Sequence, residues 1–415
     1  MTRLLLTGNG AAAWGARLAA VDYIPAFPIT PQTEIIETLS NWIDNDDMAA
    51  RLVTLESEHS MITAAGAAAA TGVRVFSATS SQGLLYGMEM LYTVVGWRAP
   101  FVLINVSRGL ASPITLEPDH NDILAARDSG FLQIHCATCQ EVLDSTLIAY
   151  RLAEDPRVRL PVIVNLDGFY LSFTREPVDL PDIERARQFV GDYDAETNRF
   201  RASAPVSQAV AVLGGAPYSY FRYETHLAAQ NSLEVYDEIS NDFARHFGRV
   251  HGAIEDYRCD DAEVVFVMMG SFATKAKEAV DRLRDAGQRV GLLRPRLLRP
   301  FPAAQFKWLL RGKKGIAVID QNLSMGMGGV LHSELAGALF GHSHLPHIML
   351  SYIGGLGGHD ISTEEFFEMA KQTFTAIHSG EVPPPRLLYT EAELREIRKL
   401  QAVAHVEREE LHLNK

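Results

Sequence analysis

One acidic side chain, Glu58, lies where this sequence is best suited to chemistry. The apolar run at residues 52–55 predicts a buried strand, and the small residues at 61–70 predict a helix. Glu58 therefore falls where the chain turns from a sheet into a helix, the position at which open α/β sheets bind ligands. Because a helix surfaced by Ala and Gly lets a flat ring approach closely, this carboxyl group is a candidate for acting on a bound ring.

Arg108 is a second candidate, because a strand predicted at residues 101–106 places it just beyond a carboxyl strand end. A guanidinium group there suits paired hydrogen bonds to a carboxylate or phosphate. A structural ion pair explains an arginine at this position equally well, so both interpretations stay open.

Thr30 is a third candidate because Pro28 and Pro31 on either side hold its backbone extended and fix the direction of its hydroxyl group. The same spacing fits a helix start, with Thr30 as the N-cap and Pro31 as the first helical residue. The two interpretations are compatible.

The residues Gly8, Gly10 and Ala13 follow a predicted strand and match the dinucleotide-binding fingerprint in form. That fingerprint needs an acidic residue about twenty positions further on. The segment 26–30 contains none. Close packing of a helix on a strand is the simpler explanation, and nicotinamide binding is kept as an alternative.

Two other groups of polar residues are weaker candidates. Cys136 and Cys139 have the spacing of a redox motif, but two half-buried thiols near a strand end are the better explanation. Asp119 and His120 are metal-type ligands whose spacing fits no standard cage, and capping of a helix near residue 123 explains much of that segment. We predict no metal site in this chain, and we interpret residues 191–194 as a solvated loop.

Composition excludes several classes of function. The chain has 415 residues, 47% of them hydrophobic and 21% charged, which is typical of a globular protein with two or three domains. A net charge of -13 disfavours nucleic acid and anionic membranes as partners, and no apolar run reaches the length of a membrane span. We therefore expect a cytoplasmic protein.

Repeated strand and helix patterns predict two α/β domains, each a doubly wound, mostly parallel sheet. The first covers residues 1–250 and includes a polar, irregular connecting region from about residue 175, in which one helix is predicted at residues 232–249. The second covers residues 258–378. Thr390 and Glu393 form a capping box that opens a tail helix within residues 379–415.

The motifs of the chain, in their order, resemble the alpha-type subunit of the thiamine-diphosphate-dependent 2-oxoacid:ferredoxin (acceptor) oxidoreductases, the pyruvate:ferredoxin oxidoreductase group. The resemblance covers nearly the whole chain except the segment 178–257 and the tail. It rests on Gly8-Asn9, Phe27-Pro28-Ile29-Thr30-Pro31-Gln32-Thr33, Glu56-Ser57-Glu58-His59-Ser60, Ser80-Ser81-Gln82-Gly83-Leu84, Ser107-Arg108, Asp119-His120-Asn121-Asp122, Arg127-Asp128-Ser129-Gly130-Phe131 and the segments 292–302 and 354–360.

The resemblance implies a pyrimidine-binding domain followed by a domain like the carboxyl-terminal one of transketolase. It implies that Glu58 hydrogen-bonds the aminopyrimidine ring of thiamine diphosphate and supplies the proton that lets the cofactor activate itself. Gln82 and Gly83 would also contact the cofactor. Arg108 would bind the substrate carboxylate, and Thr30 would lie beside the 2-oxo group. Asp119 and His120 fall in a loop that the family places near the active site, with no step assigned to them.

The resemblance also implies partner subunits. No Gly-Asp-Gly motif for Mg²⁺ and diphosphate is recognisable in the sequence, and three cysteines are too few for a [4Fe-4S] cluster, which normally takes four. A beta-type subunit would therefore share the thiamine diphosphate and bring the Mg²⁺. A ferredoxin-like subunit would carry the [4Fe-4S] clusters, and a gamma-type subunit would complete a hetero-oligomer.

The predicted reaction is oxidative decarboxylation of a pyruvate-like, aryl or branched 2-oxoacid with CoA to give an acyl-CoA and CO2. The electrons would pass to ferredoxin, or to NAD through a flavoprotein. Two alternatives remain: a scaffold subunit that has kept the fold without the chemistry, and a nicotinamide dehydrogenase built on Gly8–Ala13. Joint retention of Glu58, Arg108 and Thr30 speaks against the scaffold.

Overall fold

The computed structural model describes residues 2–193, 200–207 and 210–413, with side chains described through residue 406. The strands are β1 (Thr2–Leu6), β2 (Tyr23–Ala26), β3 (Arg51–Thr54), β4 (Phe76–Thr79), β5 (Val102–Ser107), β6 (Leu132–His135), β7 (Val162–Asp167), β8 (Glu176–Leu180), β9 (Ile254–Tyr257), β10 (Val264–Met268), β11 (Val290–Pro295), β12 (Leu297–Arg299), β13 (Gly315–Asp320), β14 (Ile348–Ile353) and β15 (Arg386–Leu387). The α-helices are α1 (Gly8–Leu18), α2 (Thr33–Asp44), α3 (Glu58–Ala69), α4 (Ser81–Tyr86), α5 (Met88–Gly96), α6 (Asn121–Ala125), α7 (Cys139–Glu154), α8 (Ile183–Val190), α9 (Ala216–Phe247), α10 (Ala273–Asp285), α11 (Ala303–Leu309), α12 (Val330–Leu339), α13 (Thr363–Ser379) and α14 (Glu391–Leu413).

The central sheet of the amino-terminal half has the strand order β12-β6-β7-β5-β4. Strands β4, β5, β7 and β6 are parallel, and β5 and β7 are buried along their whole length, as expected of a sheet covered on both faces. The parallel pair of β2 and β3 lies beside β4. Tyr23 of β2 makes a parallel bridge with Val75, the residue just before β4. This arrangement brings the carboxyl ends of β3, β4 and β5 to one edge of the sheet.

The carboxyl-terminal half contains a six-stranded sheet in the order β15-β14-β13-β10-β11-β9. All its neighbouring strands are parallel except β9, which runs antiparallel to β11. Helices α10 and α13 bury apolar faces against it. The fold is therefore the predicted pair of mostly parallel α/β sheets.

The two halves are joined by shared structure. Strand β12 belongs to the later half of the sequence but pairs antiparallel with β6, with Leu297 opposite Ile134. Beside it, the fully buried Arg294 contacts Glu141 at 2.5 Å and Glu255 at 2.6 Å. The sheet of the first half is thus completed by a strand from the second.

Two expectations about the first half were wrong. The segment after residue 175 is not simply irregular, because β8 pairs antiparallel with β1 and the helices α8 and α9 follow it. Helix α9 is long and largely polar, and it buries only one stripe that includes Val235, Tyr236 and Phe243. The strand β3 is half exposed rather than buried, because it pairs with β2 alone among the described strands.

Within the described residues, no helix has both the length and the apolar character needed to cross a membrane.

Candidate active site

Glu58 is the first residue of α3. The preceding Ser57 caps this helix, since its hydroxyl accepts a hydrogen bond from the Ser60 amide at 3.2 Å. The Glu58 side chain is only 5% exposed, and burial raises its pKa above the ordinary value of a glutamate. A carboxyl group with a raised pKa stays protonated to higher pH and can donate a hydrogen bond.

Gly83 lies directly against this carboxyl group. A Cβ atom added at Gly83 would overlap Glu58 Oε1 and would lie 2.9 Å from Glu58 Cδ and 2.7 Å from Thr79 Oγ1. Only glycine therefore leaves the Glu58 carboxyl group in its position. The contact joins the start of α3 to the start of α4.

Several buried polar atoms around this contact have no partner within the described chain. They include Thr79 Oγ1, Ser80 Oγ and Gln82 Nε2. Buried polar groups are normally hydrogen-bonded, so an unpartnered cluster indicates that a ligand or another chain completes the bonding. Polar atoms beside a carboxyl group with a raised pKa suit a nitrogen-containing ring, and the residues present therefore fit an aminopyrimidine.

Arg108 lies at the end of β5 and joins the other predicted residues. Its Nη1 donates to the Thr30 carbonyl oxygen at 2.6 Å, and its Nη2 donates to Gln82 Oε1 at 2.6 Å. Its Nε has no partner in the described part of the chain. Burial lowers the pKa of Arg108, against an opposing effect of Asp122, but a guanidinium group stays charged. Among the described residues Arg108 forms no ion pair, because the Thr30 carbonyl oxygen and the Gln82 amide that its guanidinium group contacts are both neutral.

Thr30 is exposed and lies beside Arg108 through its backbone. The predicted helix cap is wrong, because α2 begins at Thr33 and its N-cap residue is Gln32. Three contacts bring the predicted site residues together: Glu58 with Gly83, Arg108 with Thr30, and Arg108 with Gln82.

Asp119 and His120 are buried beside this group rather than within it. His120 Nε2 lies 2.8 Å from Asp167 Oδ1, and Asp167 Oδ2 accepts hydrogen bonds from the backbone and hydroxyl of Ser271 at 2.7 and 2.6 Å. Burial lowers the pKa of His120, but the carboxylates of Asp167, Asp122 and Asp119 together raise it more, so the net shift of the pKa is upward. Asp119 accepts from the amide of Asn121 at 2.9 Å. These residues tie the two halves of the chain together.

The cysteines are inert in this structure. Cys136, Cys139 and Cys259 are all free and buried, more deeply than the half-buried thiols that were expected. Burial raises the pKa of Cys136 to about 12, which leaves it protonated and unreactive. Among the described residues no cluster of three or more His, Cys, Asp or Glu side chains could hold a metal ion.

The glycine-containing motif at residues 8–13 forms the start of α1 and is packed closely against neighbouring residues. A Cβ atom at Gly8 would lie 2.7 Å from the Leu171 carbonyl oxygen, and Ala11, Ala12 and Ala13 are fully buried. This geometry supports close helix packing over nicotinamide binding for the motif.

The candidate site is largely buried, with an exposed edge at Thr30. Glu58 is 5% exposed and Arg108 is 6% exposed, whereas Thr30 is exposed. A cavity of about 750 Å³ adjoins the site at Gly109 and extends to Asn322 and Tyr389.

Comparison with known proteins identifies the family. Residues 14–241 match the family described as "Pyruvate flavodoxin/ferredoxin oxidoreductase, thiamine diP-bdg", and residues 262–366 match "Pyruvate:ferredoxin oxidoreductase core domain II". The chain belongs to the pyruvate ferredoxin/flavodoxin oxidoreductase family. The predicted resemblance is confirmed, and the part of the chain that contains all five predicted site residues matches a thiamine-diphosphate-binding domain of this family.

Two members of the oxidoreductase family from Pyrococcus species are similar to this chain over most of its length. The chain is 39% identical over 383 residues to pyruvate synthase subunit PorA of Pyrococcus abyssi (strain GE5 / Orsay), covering 92% of this chain and 96% of that protein. It is 38% identical over 379 residues to ketoisovalerate oxidoreductase subunit VorA of Pyrococcus horikoshii (strain ATCC 700860 / DSM 12428 / JCM 9974 / NBRC 100139 / OT-3), covering 91% and 95%.

Two solved structures share the fold of this oxidoreductase chain. The 2-oxoglutarate:ferredoxin oxidoreductase from Magnetococcus marinus, solved with 2-oxoglutarate, coenzyme A and succinyl-CoA bound, has a TM-score of 0.70 at 20% identity and covers 89% of this chain and 65% of that chain. A split gene transketolase, described as an inactive beta4 tetramer, has a TM-score of 0.51 at 12% identity and covers 88% and 97%. At these identities the likeness concerns the fold alone, and it confirms the predicted fold class.

Proposed function

We propose that this chain is the alpha-type, thiamine-diphosphate-activating subunit of a 2-oxoacid:acceptor oxidoreductase. The reaction is oxidative decarboxylation of a pyruvate-like, aryl or branched 2-oxoacid with CoA to an acyl-CoA and CO2. Relatives named for pyruvate and for ketoisovalerate support a small or branched 2-oxoacid as substrate.

The observation that carries the proposal is the protonation-prone Glu58 carboxyl group held against Gly83. Glu58 hydrogen-bonds a ring nitrogen of the aminopyrimidine and supplies its proton, while Gln82 and Gly83 contact the same cofactor. The unpartnered polar atoms of Thr79, Ser80 and Gln82 support a polar ring beside them. When bound, thiamine diphosphate supplies the carbon nucleophile that attacks the 2-oxo group.

Arg108 binds the substrate carboxylate, and the Thr30 hydroxyl group lies beside the 2-oxo group. The hydrogen bonds from Arg108 to Thr30 and Gln82 support this assignment, because they hold the guanidinium group in one orientation before substrate arrives. The Arg108 side chain is largely shielded from water, so a carboxylate that binds it forms a strong charge-assisted hydrogen bond.

Partner subunits complete the enzyme. The unpartnered polar atoms around Glu58 support a beta-type subunit that shares the thiamine diphosphate and brings the Mg²⁺. The three buried cysteines support placement of the [4Fe-4S] clusters on a ferredoxin-like subunit, with a gamma-type subunit in the same complex. Electrons leave to ferredoxin, or to NAD through a flavoprotein.

The test replaces Glu58 with Gln in the assembled complex and follows acyl-CoA formation from a panel of 2-oxoacids. We expect loss of turnover with complex assembly intact, since glutamine cannot supply the proton. The matched control is Glu56→Gln, because Glu56 lies two residues before Glu58, is exposed, and within the described chain its side chain accepts a hydrogen bond from Ser60 alone. Wild-type turnover in the Glu58→Gln complex would refute the catalytic role and favour the scaffold alternative.

A further inference from the structure

Asp122 is a fully buried carboxylate just below the candidate site, and sequence analysis gave it no role beyond helix capping. It lies in the first turn of α6, between the loop after β4 and the loop after β5. We propose that Asp122 is a positioning residue for 2-oxoacid binding, because it holds together the start of α4, which carries Gln82, and the loop after β5, which carries Arg108. The inference rests on the proposed function through the role of Arg108.

Both oxygens of Asp122 accept hydrogen bonds. Oδ1 accepts from the Ser107 hydroxyl group at 2.6 Å and from the Ile123 amide at 2.7 Å. Oδ2 accepts from the Ser81 amide at 3.0 Å, the Asn105 side chain at 3.1 Å and the Arg108 amide at 3.3 Å. Five donors on two oxygens require a side chain that accepts at both ends, which an amide cannot do.

The Ser81 backbone shows why such a tie is needed. Ser81 has a φ of +49°, a conformation that a residue other than glycine rarely adopts. Besides its amide bond to Asp122, its hydroxyl group donates to Gln82 Oε1 at 2.6 Å and contacts the Gly109 carbonyl oxygen at 3.0 Å. A strained backbone conformation beside a site persists only where surrounding contacts stabilise it. Here the buried Asp122 provides such a contact through its hydrogen bond from the Ser81 amide.

The hydrogen bonds of Asp122 are connected to the substrate site through Gln82 and Arg108. Gln82 Oε1 accepts from Arg108 Nη2 at 2.6 Å, while the Arg108 amide bonds Asp122 directly. Asp122 thus fixes the backbone of Arg108 and also the start of α4. That helix carries Gln82, which accepts a hydrogen bond from the Arg108 guanidinium group. Loss of the Asp122 hydrogen bonds would release both the start of α4 and the loop after β5. The guanidinium group of Arg108 would then move relative to the substrate carboxylate.

The experiment compares Asp122→Asn with wild type in the assembled complex, measuring acyl-CoA formation against 2-oxoacid concentration. We expect the KM for the 2-oxoacid to rise about tenfold or more with a smaller change in kcat, because a misplaced Arg108 mainly weakens binding. The matched control is Asp144→Asn. Asp144 is equally buried, but its partners Gln140, Arg249 and His251 lie on α7 and after α9. This control should lower stability and leave KM unchanged.

A double mutant tests whether Asp122 acts through Arg108. In an Arg108→Lys background, Asp122→Asn should change kcat/KM by much less than it does in wild type, since the group that it positions is already altered. An equal fold-change in both backgrounds would overturn the proposal. So would an unchanged KM in the single variant.

A milder variant covers the case in which Asp122→Asn fails to assemble. Ser107→Ala removes one of the five donors and should raise KM about threefold. An unchanged KM in that variant would then overturn the proposal. Absence of any 2-oxoacid-dependent acyl-CoA formation by the wild-type complex would refute the proposed function itself, and with it this inference, so the two failures are distinguishable.

Discussion

The carboxyl group of Glu58 and the backbone of Gly83 are in direct contact, which joins the amino ends of two helices at one edge of the sheet. Because no side chain fits between them, residue 83 controls where the carboxyl group lies. The contact gives Gly83 a geometric role that is separate from backbone flexibility.

Replacing Gly83 with Ala should displace Glu58 and lower acyl-CoA formation about a hundredfold, as expected when a catalytic group moves by about 1 Å. Turnover of the assembled complex is the measurement. Gly96→Ala is the control, because a Cβ atom at Gly96 would meet nothing within 4 Å. Full activity in Gly83→Ala would show that the contact does not constrain Glu58.

The raised pKa of Glu58 predicts a pH-dependent stability difference between wild type and Glu58→Gln. A group that binds its proton more tightly when folded is stabilising below its unfolded pKa, near 4.5. That stabilisation is lost as pH rises through the folded pKa. Relative to wild type, Glu58→Gln should therefore gain stability as pH rises above about 4.5, in urea unfolding measured across pH. A constant difference across pH would contradict the raised pKa.

Asp167 should be important for stability, because it is fully buried and bonds both His120 and Ser271. Asp167→Asn should cost about 3 kcal/mol in the free energy of unfolding, since one partner of a buried charged pair is removed. The raised pKa of His120 also predicts how the cost of this mutation changes with pH. Its contribution is complete below the unfolded pKa near 6.5 and is lost as pH rises through the folded pKa. The cost of the mutation should therefore shrink at alkaline pH.

Arg294 should be a second point of strong coupling. Arg294→Ala removes a fully buried partner of Glu141 and Glu255, which keep only Arg296 and Lys277 among the described cations, and it should cost about 3 kcal/mol. The exposed helix pair of Arg282 and Glu278 provides the control, and Arg282→Ala should change stability by about 0.5 kcal/mol or less. Differential scanning calorimetry of both variants would compare them, and equal effects would show that the Arg294 network adds nothing.

The sequence was sufficient to place Glu58 and Arg108, because hydrophobic runs mark strands and polar residues that follow them fall at one sheet edge. It also predicted two α/β domains. The capping hydrogen bond from the Glu393 amide to the Thr390 hydroxyl group is present at the start of α14. These features depend on local pattern alone.

Features that depend on distant contacts were not predictable in the same way. Nothing in residues 297–299 marks β12 as a strand of the other domain's sheet, because its partner Ile134 is far away in sequence. Asp122 looks like an ordinary helix cap, and its contacts with Ser81 and Arg108 exist only after β4 and β5 have paired. Polar composition likewise hid α8 and the first half of α9, since each buries only one narrow stripe, whereas the second half of α9 lies within the helix predicted at residues 232–249.

The pairing of β12 with β6 also bears on how this polypeptide can be divided. A chain cut before residue 258 would leave β6 with an unpaired edge, and exposed strand edges invite association with other chains. The later fragment would retain β12 with no sheet to join. The two halves are therefore expected to fold and to be inherited together, as one cooperative unit rather than as exchangeable modules.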